Sequence, residues 1–171
     1  MESNKSIVIY FSRGDEEYTV GTVKQGNTEL LAKEIIKQTG ADEFKIEPTT
    51  KYPKSYMECV DLATKEKEQN ARPAYQGDVD LASYDTIYLG YPIWWGDLPM
   101  IVYTFLEAHD LTGKTIIPFN THEGSGNSGT YESLKSKFPT ATFKGDGFNL
   151  PGHAARTEQG LAKLTSWLAS L

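Results

Sequence analysis

The sequence predicts an α/β protein in which a parallel sheet is covered by helices on both faces. Five short runs, over residues 6–12, 42–48, 86–91, 115–120 and 140–149, have the length and residue types of strands. Most lack polar/apolar alternation, as strands buried on both faces do. Helical patterns separate the runs, and strands alternating with helices argue for right-handed crossovers. Five such units make a three-layer, doubly wound domain with a five-stranded parallel sheet. No repeat and no low-complexity linker divides the chain, so residues 1–171 are expected to form one domain.

Each element has a local reason. The first run is the continuous apolar stretch Ile7-Val8-Ile9-Tyr10-Phe11. The helix over 26–39 carries Leu30, Leu31 and Ile35 at helical spacing, and Gly40 stands where a C-terminal cap belongs. The pattern over 55–70 brings Val60 and Ala63 together and ends in Lys65-Glu66-Lys67-Glu68, which reads as a solvated face. Residues 99–109 present Val102, Phe105, Leu106 and His109 on one side. Residues 129–138 and 157–171 complete the helices, the last with Leu161, Leu164 and Leu168 at steps of three and four.

Composition excludes several classes. A chain of 171 residues buries a substantial core without covalent staples. Its single cysteine, Cys59, rules out a disulfide framework or a thiolate metal cluster, suits a reducing compartment, and reads as a small buried residue. The start is polar through Ser6 and is followed by only five apolar residues, too few for a signal peptide or a membrane span, so the expected location is cytoplasmic. With 17 basic against 23 acidic residues the net charge is −6, which disfavours nucleic acid and anionic membrane as partners.

In a doubly wound sheet, ligands sit beyond the carboxyl ends of the strands, where the strand order reverses. The loops after the first, third and fourth strands are the informative ones. The first runs Tyr10-Phe11-Ser12-Arg13 and, after a polar excursion, reaches Gly26-Asn27-Thr28-Glu29. There Gly26 permits close approach, Asn27 and Thr28 are capping types, and free amides at a helix start attract phosphate. No Gly-Lys-Ser/Thr follows, which argues against a nucleoside triphosphate with magnesium. The third-strand loop, Gly90-Tyr91-Pro92-Ile93-Trp94-Trp95-Gly96-Asp97, offers two indoles as a flat apolar wall, unless both rings are core. The fourth, Thr121-His122-Glu123-Gly124-Ser125-Gly126, offers a rim of backbone groups. A flat heteroaromatic carrying a phosphate satisfies all three.

These three stretches, Ile-Val-Ile-Tyr-Phe-Ser-Arg with Gly-Asn-Thr, Gly-Tyr-Pro-Ile-Trp-Trp-Gly, and Thr-His-Glu-Gly-Ser-Gly, resemble the flavodoxin family from about Ile7 to the C-terminal helix. The resemblance implies strand order 2-1-3-4-5 and FMN as cofactor. Ser12, Asn27 and Thr28, with Arg13 and Gly26 in the same loops, would hold the phosphate. Pro92, Ile93, Trp94, Trp95 and Gly96 would flank one face of the isoalloxazine, with Gly96 beside N5, and Thr121, His122, Glu123, Gly124, Ser125 and Gly126 the other. Two features depart from the family pattern. Residues 14–25 interrupt the phosphate loop, and His122 stands near the place of a second aromatic.

Competing chemistries fall on spacing. His122-Glu123 lacks further ligands for a metal, no Gly-x-Ser-x-Gly follows a strand, and the first strand ends in Phe11-Ser12-Arg13 rather than in the paired acids of a phosphoacceptor domain. The resemblance then implies an electron carrier, which a single domain of negative charge suits, docking redox proteins at an exposed flavin edge as a monomer or weak dimer. The alternative is an FMN-dependent NAD(P)H or quinone reductase, with residues 15–25 or Gly152-His153-Ala154-Ala155-Arg156 as the source of a second pocket.

Overall fold

A computed structural model describes residues 5–13, 15–17, 21–23, 25–145 and 147–171. The elements run β1 (Ser6–Tyr10), β2 (Asp15–Glu17), β3 (Gly21–Val23), α1 (Asn27–Thr39), β4 (Asp42–Lys45), β5 (Glu47–Pro48), α2 (Tyr56–Glu68) and β6 (Tyr75–Gln76). There follow β7 (Thr86–Pro92), α3 (Met100–Glu107), β8 (Thr115–His122), α4 (Thr130–Lys137), β9 (Thr142–Phe143), β10 (Phe148–Pro151), a 3₁₀ turn over Gly152–Arg156, and α5 (Glu158–Ser170). The main sheet is parallel in the order β4-β1-β7-β8-β10, with β9 also on β8. Numbered along the chain, its five positions read 2-1-3-4-5, as expected.

Alternation along β1 divides the core in two. Ile7, Ile9 and Phe11 join one cluster with Ile87, Leu89 and Tyr91 of β7 and with α3, while Val8 and Tyr10 join a second with Leu31, Ala32 and Ile35 of α1 and Leu164 of α5. Burial rather than capping makes α3. Its start at Pro99 has no side-chain cap, which forgoes about 0.5–2 kcal/mol. It buries Met100, Ile101, Val102, Tyr103, Phe105 and Leu106, each large apolar side chain contributing about 1.5–3 kcal/mol. At α1 the expected C-cap is in place, with Gly40 left-handed and its N–H donating to Ile36 O at 2.9 Å. Among the described residues no helix is long and apolar enough to cross a membrane.

Three expectations need correction. The run over 140–149 is not one strand. β9 pairs with the start of β8 and β10 with its end, while Tyr131 of α4 intrudes at the break, where a Cβ on Gly147 would lie 2.4 Å from its ring. The Tyr131 hydroxyl sits 2.6 Å from the Phe148 carbonyl and 2.5 Å from Asn120 Oδ1, anchoring the ring there. Next, the excursion over 15–25 contains an antiparallel pair, β2 with β3, that approaches α2. Residues 14, 18–20 and 24 of that excursion, and 1–4 of the polar start, lie outside the described residues. Finally, Lys65-Glu66-Lys67-Glu68 is not merely a solvated face. Glu66 accepts the Tyr52 hydroxyl at 2.7 Å, and burial pushes its carboxyl up, while Lys67 reaches Asp97 Oδ2 at 3.1 Å and ties α2 to the loop after β7.

Candidate functional site

A cleft of about 250 Å³ opens beyond the carboxyl ends of β1, β7 and β8. Its closed end is the start of α1. The Ser12 hydroxyl accepts from the Glu29 N–H at 3.0 Å, and the first helical bond runs from Leu30 N to Gly26 O. The N–H groups of Asn27 and Thr28 therefore have no intrahelical acceptor, and they lie at the positive end of the helix. Both side chains are buried, and Thr28 Oγ1 and Thr121 Oγ1 share a hydrogen bond of 2.8 Å that joins α1 to β8. Arg13 lines the cleft as well. Its Nη2 donates to the carbonyls of Pro53 and Lys54 at 2.8 and 2.7 Å, fixing the segment that leads into α2.

The aromatic wall is a two-residue turn. Trp94 N donates to Asp97 O at 2.8 Å and Asp97 N to Trp94 O at 3.1 Å, with φ of 54° at Trp95 and 70° at Gly96. Positive φ at both central positions is the type I′ pattern, natural for Gly at the second and costly by roughly 1–2 kcal/mol for Trp at the first. The two indoles have different fates. Trp94 is wedged edge-on between Phe11 and Tyr52, with ring centroids at 5.3 and 5.1 Å, whereas Trp95 is 55% exposed at the cleft mouth.

Asp97 holds the turn in place. Its Oδ1 accepts from the Tyr103 hydroxyl at 2.5 Å and from the Leu98 N–H at 2.7 Å, and its Oδ2 faces Lys67. Burial pushes the carboxyl up, but these hydrogen bonds and the lysine charge outweigh it, and the group lies below the ordinary carboxylate range. Its contribution is therefore complete above an unfolded-state value of about 3.9 and is lost as pH falls through the lower folded value. Asp97→Asn is expected to cost about 1–2 kcal/mol at pH 7, with the difference from wild type shrinking below about pH 4. Thermal unfolding of both proteins at pH 7 and pH 3 measures this, and an equal gap at the two pH values refutes it.

On the third side, the His122 Nδ1 accepts from the Gly124 N–H at 2.9 Å, so the ring proton sits on Nε2 and is donated to Asn149 Oδ1 at 3.1 Å. Thr121, His122 and Glu123 reach the cleft, as do Pro92 and Ile93 opposite. Gly26, Gly96, Gly124, Ser125 and Gly126 do not line it. Gly26 instead packs against Ser12 and Arg13, Gly96 completes the turn, and the Gly126 carbonyl accepts from Asn120 Nδ2 at 3.1 Å. One wall was missed in the sequence altogether. Tyr56, Cys59, Val60 and Ala63 of α2 also line the cleft. The small residues on one face of that helix were the signal, and Cys59 is buried there as expected.

The arrangement suits a planar ligand with an anionic tail: amides and hydroxyls at the closed end, aromatic and aliphatic groups along the walls. Enclosed small-molecule sites run to roughly 300–1,000 Å³, so a cleft of about 250 Å³ leaves an edge of such a ligand outside.

Comparison with known proteins agrees with this fold. A family model described as flavodoxin matches residues 6–170. Among solved structures, a protein of Bacteroides uniformis assigned as a flavoprotein is 29% identical, with a TM-score of 0.78 over 98% of this chain and 99% of its own. A like-assigned protein of Bacteroides eggerthii is 28% identical, with a TM-score of 0.77 over 98% of each chain. A flavoprotein of Lactobacillus acidophilus, solved in complex with FMN, shares the fold at 17% identity, with a TM-score of 0.66 over 86% of this chain and 93% of its own. No curated protein matches the chain.

Proposed function

Because the chain belongs to the flavodoxin family, whose cofactor is FMN, we propose that it is a cytoplasmic electron carrier that docks redox partner proteins at the cleft mouth. One observation carries the reading: the free amides at the start of α1 and the exposed, left-handed Trp95 belong to a single cleft. Bound FMN supplies reversible one- and two-electron transfer. The chain supplies the rest. Ser12, Asn27 and Thr28 would hold the phosphate, Trp95 would offer an apolar face to the isoalloxazine, and Thr121, His122 and Glu123 would form the opposite rim. The walls of α2 and Ile93 would exclude water from the ring. Trp95, an exposed large apolar side chain, stands at the cleft on a chain of net charge −6, a combination that suits docking of a basic partner.

The purified protein is expected to bind one FMN and to prefer it over riboflavin by 100-fold or more, since two hydrogen bonds to a charged phosphate contribute about 1.5–3 kcal/mol each. Flavin fluorescence titration measures this, and equal affinity for the two ligands removes the phosphate site. Stopped-flow mixing with NADH, NADPH and a quinone separates the carrier from a reductase. A carrier shows slow reduction by either nucleotide, whereas fast turnover with a quinone overturns the proposal.

A further inference from the structure

Arg156 ends the 3₁₀ turn near the far end of the chain, yet it is bound to the start of α1. Its Nε donates to Asn27 Oδ1 at 2.9 Å and its Nη2 to the Gln25 carbonyl at 2.7 Å. A guanidinium only donates, so this contact fixes which end of the Asn27 amide is oxygen. The NH₂ end is left over. Asn27 is more than nine-tenths buried and lines the cleft, and among the described residues no acceptor is paired with its Nδ2.

The charge of Arg156 is also out of place. The residue directly precedes Thr157, the N-cap of α5, and touches the start of α1, so a permanent cation stands at two positive helix ends, where cations are disfavoured. Among the described residues no carboxylate lies within 4 Å of its guanidinium. The nearby acid makes the case sharper. A Cβ on Gly152, in the same turn, would stand 2.3 Å from Asn27 Nδ2 and 2.6 Å from Glu123 Oε1, so an anion arriving at that amide also meets the field of Glu123.

We infer that Arg156 is a positioning residue that makes the closed end of the cleft selective for a phosphate monoester. It turns the Asn27 NH₂ outward as a donor and adds its own positive charge to that of the two helix ends, so that the closed end of the cleft calls for an anion. The inference rests on the FMN reading of the cleft and adds to it a residue outside the three loops.

The test compares FMN with riboflavin, by fluorescence titration, on wild type, Arg156→Ala, Arg156→Lys and Asn27→Asp, with thermal unfolding of each apo form. Arg156→Ala is expected to lose at least tenfold in FMN affinity and less than twofold in riboflavin affinity. Arg156→Lys should recover part of that loss, because it keeps the charge but not both hydrogen bonds. Asn27→Asp should match the alanine variant's selectivity. An equal loss for both flavins makes Arg156 a purely structural brace, and no loss for either makes it incidental. Both results overturn the inference. Should Arg156→Ala not fold, the lysine and Asn27 variants decide on the same criterion. A wild type that fails to distinguish the two flavins takes away the phosphate site itself, which is a different failure from a selective wild type with an equally selective Arg156→Ala.

Discussion

Gly26→Ala is expected to cost more than 100-fold in FMN affinity and to lower apo stability. A Cβ there would stand 2.2 Å from the Arg13 carbonyl oxygen and 2.4 Å from Ser12 Oγ; the first is backbone and the second is held by the Glu29 N–H. The backbone of β1's exit and the N-cap of α1 must part, and the bond from Glu29 N to Ser12 Oγ goes with them. Overpacking of this kind costs about 1–3 kcal/mol, or roughly 2–12 °C in the melting temperature of a domain this size. The effect on binding is larger, since the same displacement moves the Asn27 and Thr28 amides away from the place where a phosphate would sit. Calorimetric melting of the apo protein and FMN titration measure the two effects separately. Normal affinity in a destabilised protein would show that the start of α1 is not the anion site.

The adjacent tryptophans should separate cleanly. Trp94→Ala removes a ring lodged between Phe11 and Tyr52 and is expected to cost about 2–4 kcal/mol of apo stability, at or below the ~3–5 kcal/mol of a fully buried large side chain. Trp95→Ala removes an exposed ring from a left-handed position, so apo stability should hold or improve, while FMN binding weakens by about 1–3 kcal/mol, the scale of base–aromatic stacking. Part of the quenched flavin fluorescence should return only in the Trp95 variant. If Trp95→Ala binds FMN as wild type does, the aromatic platform is lost and the strain at Trp95 has no role in binding.

The strands of the sheet were legible from local signals, while their order was implied by the family resemblance. Uninterrupted apolar runs such as Ile7-Val8-Ile9 and Ile116-Ile117 admit few readings other than buried parallel strands, and their spacing leaves room for one crossover each. The break between β9 and β10 was not legible, because its cause is Tyr131, a tertiary contact from another element. The division of labour between Trp94 and Trp95 was hidden for a similar reason: it depends on Tyr52 and Phe11, both remote in sequence. The three loops were legible as glycine-punctuated strand ends. The α2 wall was not, since Cys59, Val60 and Ala63 carry the same small apolar signature whether they face a core or a cleft. Arg156 was visible only as the end of a stretch read as a source of a second pocket, because its partner lies 129 residues away.

The two rims of the main sheet bear on how the protein behaves when crowded. An outermost strand with a long row of unpaired amides and carbonyls is a template for intermolecular pairing and fibril growth. Here one rim is β4, Asp42-Glu43-Phe44-Lys45, where three of four side chains are charged and the chain turns off into β5. The opposite rim is β9 and β10, two residues and then four, the last of them Pro151, which has no N–H to donate. The intrusion of Tyr131 that shortens the fifth strand thus also denies an incoming strand a continuous ladder. The protein guards against edge-to-edge aggregation by charge on one side and by interruption on the other.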